Sequence, residues 1–497
     1  VHFNSFVFAV FLPTVFALYW ALHRSLRAQN IVILLASYLF YAWWDWRFLG
    51  LFIGSAMADF FVGVYLARPD RPPRARLVAL VTGLTLNLTA LGVFKYFNFF
   101  VGSLQDALGL VGLPLDLGTL DLILPLGISF YTFQSMSYSL DVYRGLLKPT
   151  RDPVAYMAYV AFFPQLVAGP IERAETLLPA FLAPRTFDAA KARDGLRQIL
   201  WGLTKKVVIA DNLAGPVELA YNGDPGALSG LGHAIATSLF FVQVYCDFSG
   251  YSDIAIGSAR LFGFSLTRNF AFPFFSTSLT EFWRRWHVTL NTWLRDYVFL
   301  VLEMRTRRKH MARRAKRPPE AQGPRTPPRW RTALNIFIVF LLSGLWHGAA
   351  WTYVLMGAVT GVYLSIELFL GTPVARQIVA FDRALPTLRE ALAILRVNVL
   401  TMLSLVLFRA ETVTQAGLIY AQMLTSPLAG SSVAPLLGAC LLALAPIVLE
   451  WFQRRRQHGL EIDHWPTWAR WSAYLALCLV ILVHGNTRSR EFVYFQF

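Results

Sequence analysis

Apolar runs long enough to cross a bilayer recur from one end of the chain to the other, and no other feature constrains the fold as much. Runs lie at residues 5–23, 28–45, 48–66, 77–101, 121–142, 196–220, 233–258, 332–349, 351–371, 397–424, 433–451 and 469–487. A helix of about 18 residues or more spans a hydrocarbon core of roughly 30 Å. Lipid offers the backbone no hydrogen bonds, so such runs are helices. The expectation is an all-α polytopic membrane protein with about 11–12 transmembrane helices. Of the 497 residues 56% are hydrophobic and 15% are charged, against about 25% charged in a soluble domain. No hydrophilic stretch is long enough for a separate soluble domain. Residues 1–497 therefore read as a single membrane domain, with a basic, Pro-rich cytoplasmic loop at 303–331. The first run has no basic segment before it and no small-residue cleavage site after it; Arg24 and Arg27 follow instead. It reads as a retained helix rather than a signal peptide.

The formal charge of +16 does not point to nucleic acid, because the basic residues cluster in alternate loops. Arg68, Arg71, Arg74 and Arg76 share one loop, and Arg144, Lys148 and Arg151 another. Arg305 to Arg317, Arg376 to Arg396 and Arg454 to Arg456 mark three more. The intervening loops near 103–120, 222–232 and 425–432 hold no Lys or Arg. This is the positive-inside pattern, and it predicts both termini outside the cytoplasm. The basic loops also suit anionic lipid headgroups. Cys246, Cys440 and Cys478 lie within apolar runs, with no CxxC spacing; they read as small buried side chains rather than a disulfide or zinc framework. No metal, Rossmann or Walker motif is present, and no internal repeat.

Two apolar segments do not read as ordinary spans. Ala155 to Pro170 is short, holds two prolines and a glycine, and runs into Glu172 and Arg173. Broken backbone at membrane depth needs protein or a water-filled cavity around it. The segment reads as re-entrant, with a proline-kinked interfacial helix as the alternative; Gln165 and Glu172 are its candidate cavity-lining residues. Ser278 to Leu302 starts with a capping-box pair, Ser278 and Glu281. Its Trp283, Trp286, Leu290, Trp293, Leu294 and Tyr297 recur at helical spacing among Arg284, Arg285, Arg295 and Asp296. This predicts one aromatic, basic amphipathic helix at the cytoplasmic interface. It carries His287.

Of nine histidines, His347 stands out. It lies in NIFIVFLLSGLWHGAAWTYVLMG, roughly 24 Å along a helix that begins near Arg331. An ionisable group inside a membrane helix is a functional-site candidate. Gly344, Gly348, Ala349 and Ala350 around it allow another chain or a substrate to approach. The alternative is a buried, hydrogen-bonded structural histidine.

At this point four motifs carry a resemblance. WHG at 346–348, FWRRWHVTLNTWLRDYVF at 282–299, YCDFSGYSDIAIG at 245–257 and FFPQLVAGPIE at 162–172 are together similar to the membrane-bound O-acyltransferase (MBOAT) family. Within it they resemble the bacterial polysaccharide-modifying branch, which includes the membrane subunit of alginate O-acetylation and the protein that exports D-alanyl groups to teichoic acid. The similarity extends from FNSFVFAVFLP near the N-terminus to the final FVYFQF. It implies acyl transfer from a cytoplasmic thioester, acetyl-coenzyme A or an acyl carrier protein, toward hydroxyls of an extracytoplasmic polysaccharide. It implies a ring of helices around a central tunnel in the bacterial inner membrane. A separate extracytoplasmic protein is the expected partner that completes the transfer. His347 matches the family's invariant histidine and His287 the second one. A neutral imidazole can take a hydroxyl proton near neutral pH, which makes His347 the candidate general base and leaves His287 to orient the acceptor or steady the developing charge. One departure is visible: Tyr297 leads into VFLVLEMRTRRKH, where alginate-type relatives carry a glycine-rich IPLGGNR segment.

Further candidates follow. Arg284, Arg285 and Arg295 suit the phosphates of coenzyme A or a phosphopantetheine arm, as well as lipid phosphate. Trp346 and Asn291 are candidate cavity-lining residues. Asp247 and Asp253 flank a Ser-Gly-Tyr turn and read as buried carboxylates partnered by Arg260 or Tyr251. The aromatic tail FVYFQF would pack into the outer mouth or dock a partner; a sharper alternative makes Tyr494 an acyl relay. The competing functional classes are a non-enzymatic transporter or channel for a small acid or glycan unit, and a protein O-acyltransferase of the same family.

Overall fold

A computed structural model describes residues 2–113, 115–223, 228–316, 318, 324–372, 374, 378–428, 434–486 and 492–493. The protein is all-helical, as the apolar runs require. The helices are α1 (Phe6–Ala21), α2 (Leu26–Asp45), α3 (Arg47–Leu66), α4 (Pro73–Leu91), α5 (Phe97–Leu110), α6 (Ile128–Arg144), α7 (Pro153–Ala161), α8 (Ala174–Leu182), α9 (Ala189–Leu203), α10 (Asp211–Asn222) and α11 (Gly230–Leu261). They continue with α12 (Leu279–Arg285), α13 (Val288–Leu294), α14 (Leu300–Ala315), α15 (Arg329–His347), α16 (Trp351–Leu370), α17 (Leu388–Arg409), α18 (Val413–Thr425), α19 (Ala434–Phe452) and α20 (Thr467–His484). Among the described residues six helical stretches are long and apolar enough to cross a membrane: Arg47–Leu66, Pro73–Leu110, Gly230–Leu261, Trp351–Leu370, Leu388–Arg409 and Thr467–His484. The apolar α1 and Leu436–Phe452 are shorter. The protein is thus a multi-pass membrane protein. The single apolar run at 397–424 is two helices, because Thr412 leaves helical geometry and caps α18 by accepting from the Gln415 amide.

The described residues form two compact units, 2–203 with 250–267 and 492–493, and 204–249 with 268–486. The first is organised by two buried polar features. Asp59 of α3, fully buried, accepts from Asn87 of α4 at 2.7 Å and from Ser139 of α6 at 2.8 Å, and so joins three helices. The second is the broken segment after α7. Asp152 caps that helix through the Val154 and Ala155 amides, and from Ala155 to Glu172 every residue is buried. Its freed backbone groups are satisfied from within the protein. The Phe163 amide donates to Ser37, Gln165 to the Tyr159 carbonyl, and the Tyr159 hydroxyl to the Glu172 carbonyl. Gly127, at φ +69°, lies so close to Leu166 and Val167 that a side chain there would meet their carbonyls at 2.9 and 3.1 Å. In this unit Asp253 accepts from Gln198 at 2.7 Å and Arg260 pairs with Asp194. Phe492 is buried against Tyr251, with ring centroids 5.1 Å apart.

The second unit holds an ion-pair network that the sequence reading missed. Across the π-helical turn Thr204–Ala210, Lys205 and Lys206 are buried side by side. Lys206 donates to Asp247 at 2.6 Å and to Asp211 at 2.9 Å. Lys205 donates to Ser249 at 2.9 Å and lies 3.9 Å from Glu450, whose other oxygen accepts from Tyr245 at 2.6 Å. Asp247 is therefore partnered by Lys206, where Arg260 or Tyr251 was expected. Charges this deep require such partners.

Helices α15 and α16 form a tight hairpin through glycines. A methyl group on Gly344 would run into the Tyr353 carbonyl and come within 3.0 Å of the Gly357 Cα. One on Gly357 would run into the Phe340 carbonyl and come within 3.1 Å of the Gly344 Cα. Small residues let membrane helices approach to this degree. Gly357→Val is expected to lower stability by about 2–3 kcal/mol through overpacking. Thermal melting in detergent checks this, with Gly417→Ala as the unaffected control, since the space beside Gly417 is open.

Candidate active site

The segment expected as one amphipathic helix from Ser278 to Leu302 is broken. Ser278 does cap α12 by accepting from the Glu281 amide, but α12 stops at Arg285. Trp286 is extended, and His287 takes φ 45° and ψ 52°, a left-handed conformation that a non-glycine residue occupies at a cost. Helix α13 restarts at Val288. A π turn, Arg295–Phe299, then leads into α14. Helix α14 occupies much of the region expected as a basic loop from residue 303. Glu303 stabilises it by pairing with Arg307 at 3.0 Å and accepting from Asn335 of α15 at 3.0 Å.

Two asparagines hold the break open. Asn291 donates to the carbonyls of Trp283 at 2.9 Å and Trp286 at 2.7 Å, groups that the interruption strands. Asn269 acts from the preceding segment. Its carbonyl accepts from the Val288 amide at 2.9 Å, while its side-chain oxygen accepts from the Thr289 amide at 3.3 Å and the Thr289 hydroxyl at 3.0 Å. The same oxygen lies 3.2 Å from Nδ1 of His287. The Ala271 amide donates to the Arg285 carbonyl at 2.8 Å, so residues 269–271 brace the chain on both sides of His287.

His287 is 1% exposed and sits among rings: Phe248 at 4.6 Å, Trp346 at 5.6 Å and Phe270 at 6.4 Å between centroids. Trp346 is in turn 5.1 Å from His347, which also meets Phe408 at 5.4 Å. His347 is the last residue of α15, with Gly348 extended beyond it. The two predicted histidines are thus brought into contact with one buried tryptophan. Burial holds the His287 imidazole well below its ordinary pKa, and the nearby His347 adds to the effect.

A cavity of about 590 Å³ runs beside this cluster. Its walls come from α12 and α13, from α15 between Arg329 and Ser343, and from the end of α16. Along α15 that wall is roughly 21 Å long, and Ser343 stands one helical turn before His347. Arg284, Arg295 and Arg329 line it, as do Trp283, Asn291, Phe340 and Glu367. Chain direction places Arg295 and Arg329 away from the histidines, while Arg284 stands three residues before His287. Helix α13 runs outward from His287 through Asn291 to Arg295, while α15 runs inward from Arg329 to His347. The cavity wall thus combines apolar residues such as Leu294, Ile336 and Phe340 with Asn291, Thr332, Ser343 and Glu367, and carries three arginines.

Arg284, Arg295 and Asn291 are thus on the cavity wall. Arg295 also pairs with Asp296 at 2.6 Å. Arg285 is turned to Glu281 at 3.0 Å and to the Ala271 carbonyl. Trp346 contacts both histidines. Gln165 and Glu172 belong to the first unit, where the Glu172 carboxylate accepts from the Thr267 amide and hydroxyl. Tyr494 lies outside the described residues. Asn269, Glu303 and Glu367 were missed by sequence reading. Glu367 of α16 accepts from the Leu279 and Thr280 amides at 2.8 Å and so fixes the start of α12.

With this geometry in view, comparison with known proteins gives a consistent result. Residues 150–314 match the model of the MBOAT, membrane-bound O-acyltransferase family. A probable alginate O-acetylase of Pseudomonas aeruginosa is 37% identical over 93% of this chain and 82% of its own. A peptidoglycan O-acetyltransferase of Helicobacter pylori is 32% identical over 73% of this chain and 69% of its own. A teichoic acid D-alanyltransferase of Bacillus subtilis is 28% identical over 50% of this chain and 60% of its own. Fold, site and these likenesses define a membrane-embedded acyltransferase. The chain belongs to the membrane-bound O-acyltransferase family.

The depressed pKa of His287 has a consequence for stability. Below about pH 6.5 the unfolded chain protonates this histidine and the folded chain does not. The unfolded state then binds more protons, so stability falls as pH drops. Melting temperatures between pH 7.5 and 5 are expected to fall more steeply for the wild type than for His287→Gln. Equal slopes would show that His287 is not buried in its neutral form.

Proposed function

We propose that this protein transfers an acyl group, most simply acetyl, from a thioester presented at the cytoplasmic face to hydroxyls of an extracytoplasmic cell-envelope polysaccharide. The donor is acetyl-coenzyme A or an acyl carrier protein. The observation that carries this reading is the pair of buried histidines on Trp346, with a cavity lined by Arg284, Arg295 and Arg329 on the neighbouring turns of the same helices. Arg284, Arg295 and Arg329 hold the donor's phosphates, since guanidinium groups match phosphate geometry. The apolar walls carry the uncharged arm inward. His347 serves as general base. It takes the proton from the acceptor hydroxyl as the oxygen attacks the thioester carbonyl. The C–S bond then breaks, and the proton passes to the departing thiolate. The buried surroundings exclude water that would hydrolyse the donor. His287 orients the acceptor or steadies the developing charge. Arg285 keeps the helix break in place through Glu281 and the Ala271 carbonyl rather than touching the donor.

The alginate and peptidoglycan specificities named for the relatives support an envelope glycan as acceptor. In this reading the protein lies in the bacterial inner membrane with both termini outside. Its acyl group is delivered through a separate extracytoplasmic protein, and the C-terminal tail with Tyr494 serves that delivery.

Two measurements test the proposal. Membranes containing the wild type and supplied with radiolabelled acetyl-coenzyme A are expected to pass label to glycan or to a partner protein. His347→Ala is expected to lose at least 10²-fold in rate, on the order of a general base's contribution. Equal labelling in both would remove His347 from catalysis. Arg284→Ala and Arg295→Ala are expected to raise the donor KM about tenfold with a smaller change in kcat, the pattern of lost ground-state binding.

A further inference from the structure

We infer that Asn269 is a positioning residue that locks His287 in the tautomer with its proton on Nδ1, so that Nε2 faces the reaction as a hydrogen-bond acceptor. The inference rests on the acyl-transfer reading above and refines the role of His287 within it.

The argument turns on which atom of Asn269 meets its neighbours. A backbone N–H can only donate. The Thr289 amide donates to the side chain of Asn269 at 3.3 Å, so the atom it meets is the amide oxygen and not the nitrogen. This removes the usual ambiguity in the orientation of an asparagine side chain. The same oxygen takes the Thr289 hydroxyl at 3.0 Å and faces Nδ1 of His287 at 3.2 Å. An oxygen acceptor opposite Nδ1 requires that Nδ1 carry a hydrogen. In a neutral imidazole the other nitrogen then carries the lone pair. Asn269 cannot rotate away readily, because its own carbonyl is tied to the Val288 amide at 2.9 Å and its side chain bridges the left-handed residue His287 and Thr289.

The consequence for chemistry is specific. A neutral His287 with a bare Nε2 can receive a hydrogen from an O–H or N–H group. It has no hydrogen to offer at Nε2 to a negatively charged oxygen. Of the two roles open to it, orienting a hydroxyl fits the lock, and direct stabilisation of the oxyanion does not. The groups around the ring include Asn269, Thr289, Phe248, Phe270 and Trp346, which carry no charge, and His347, which acts on His287 electrostatically.

The test is nitrogen NMR of the full-length protein in lipid bilayers, with ring-labelled histidine and His287 assigned by its loss in His287→Gln. At pH 8 the wild type is expected to show a protonated Nδ1 and a bare Nε2. Asn269→Ala is expected to give a mixture of tautomers. Asn269→Asp keeps the acceptor but adds a charge; it is expected to preserve Nδ1–H and to raise the pH at which His287 titrates by about one unit or more. The acid limb of acetyl transfer should rise with it. A proton on Nε2 in the wild type would overturn the inference, as would an unchanged tautomer in Asn269→Ala. The wild-type spectrum needs no variant, so a folding defect in Asn269→Ala does not remove the test. If the tautomer is as expected but His287→Gln transfers acetyl at the wild-type rate, the role in acyl transfer falls while the lock stands.

Discussion

The side-chain oxygen of Asn269 sits at the structural centre of this protein's chemistry. It accepts from the Thr289 amide, the Thr289 hydroxyl and the His287 ring, and these contacts hold a helix apart at a point where its sequence would otherwise let it continue. Interrupting a helix strands carbonyls and amides that a buried site cannot leave without partners. Asn291 takes the stranded carbonyls and Asn269 the amides. The strained backbone of His287 is the result, and it turns the imidazole out of a helical stripe and into a ring-lined pocket beside Trp346.

The other side of that pocket depends on close packing. Trp346 and His347 end α15, and that helix lies against α16 with Gly344 and Gly357 at the contact. The same helix forms the long wall of the cavity, so a single element runs from Arg329 and Ser343 on that wall to the buried His347. Glu303 ties the beginning of α15 to α14, and Glu367 ties α12 to α16. Both are buried carboxylates that accept from neutral donors, and Glu303 pairs with Arg307 as well. Position in such a site comes from hydrogen bonds that are already made before a substrate arrives.

Much of this was legible in the sequence. Most of the apolar runs are helical over most of their length, and Gly344, read as letting another chain or a substrate approach, is packed against Gly357 of α16. The pairing of His287 with His347 came from motif resemblance and could not have come from spacing, since the two lie sixty residues apart. What the sequence hid has a common cause. Helical periodicity from Trp283 to Tyr297 persists through the break, because α12 and α13 both bury their aromatic faces; only the contacts to Asn269 reveal the interruption. The basic stretch after residue 303 is helical because Glu303, one acidic residue among many arginines, anchors it to α15. Lys205 and Lys206 lie inside the apolar run 196–220, while their partners Asp211, Asp247 and Glu450 are scattered over more than two hundred residues. Long-range pairing of this kind leaves no local pattern to read.

The central claim is that the cavity delivers the donor's reactive end to the two histidines. A non-hydrolysable acetyl-coenzyme A analogue with a photoreactive group in place of the acetyl tests it directly, by mapping the crosslinked peptide in the purified protein. The account predicts attachment within 336–347 or 283–291, suppressed by excess acetyl-coenzyme A. Attachment confined to the first unit, or insensitive to the competing thioester, would contradict it.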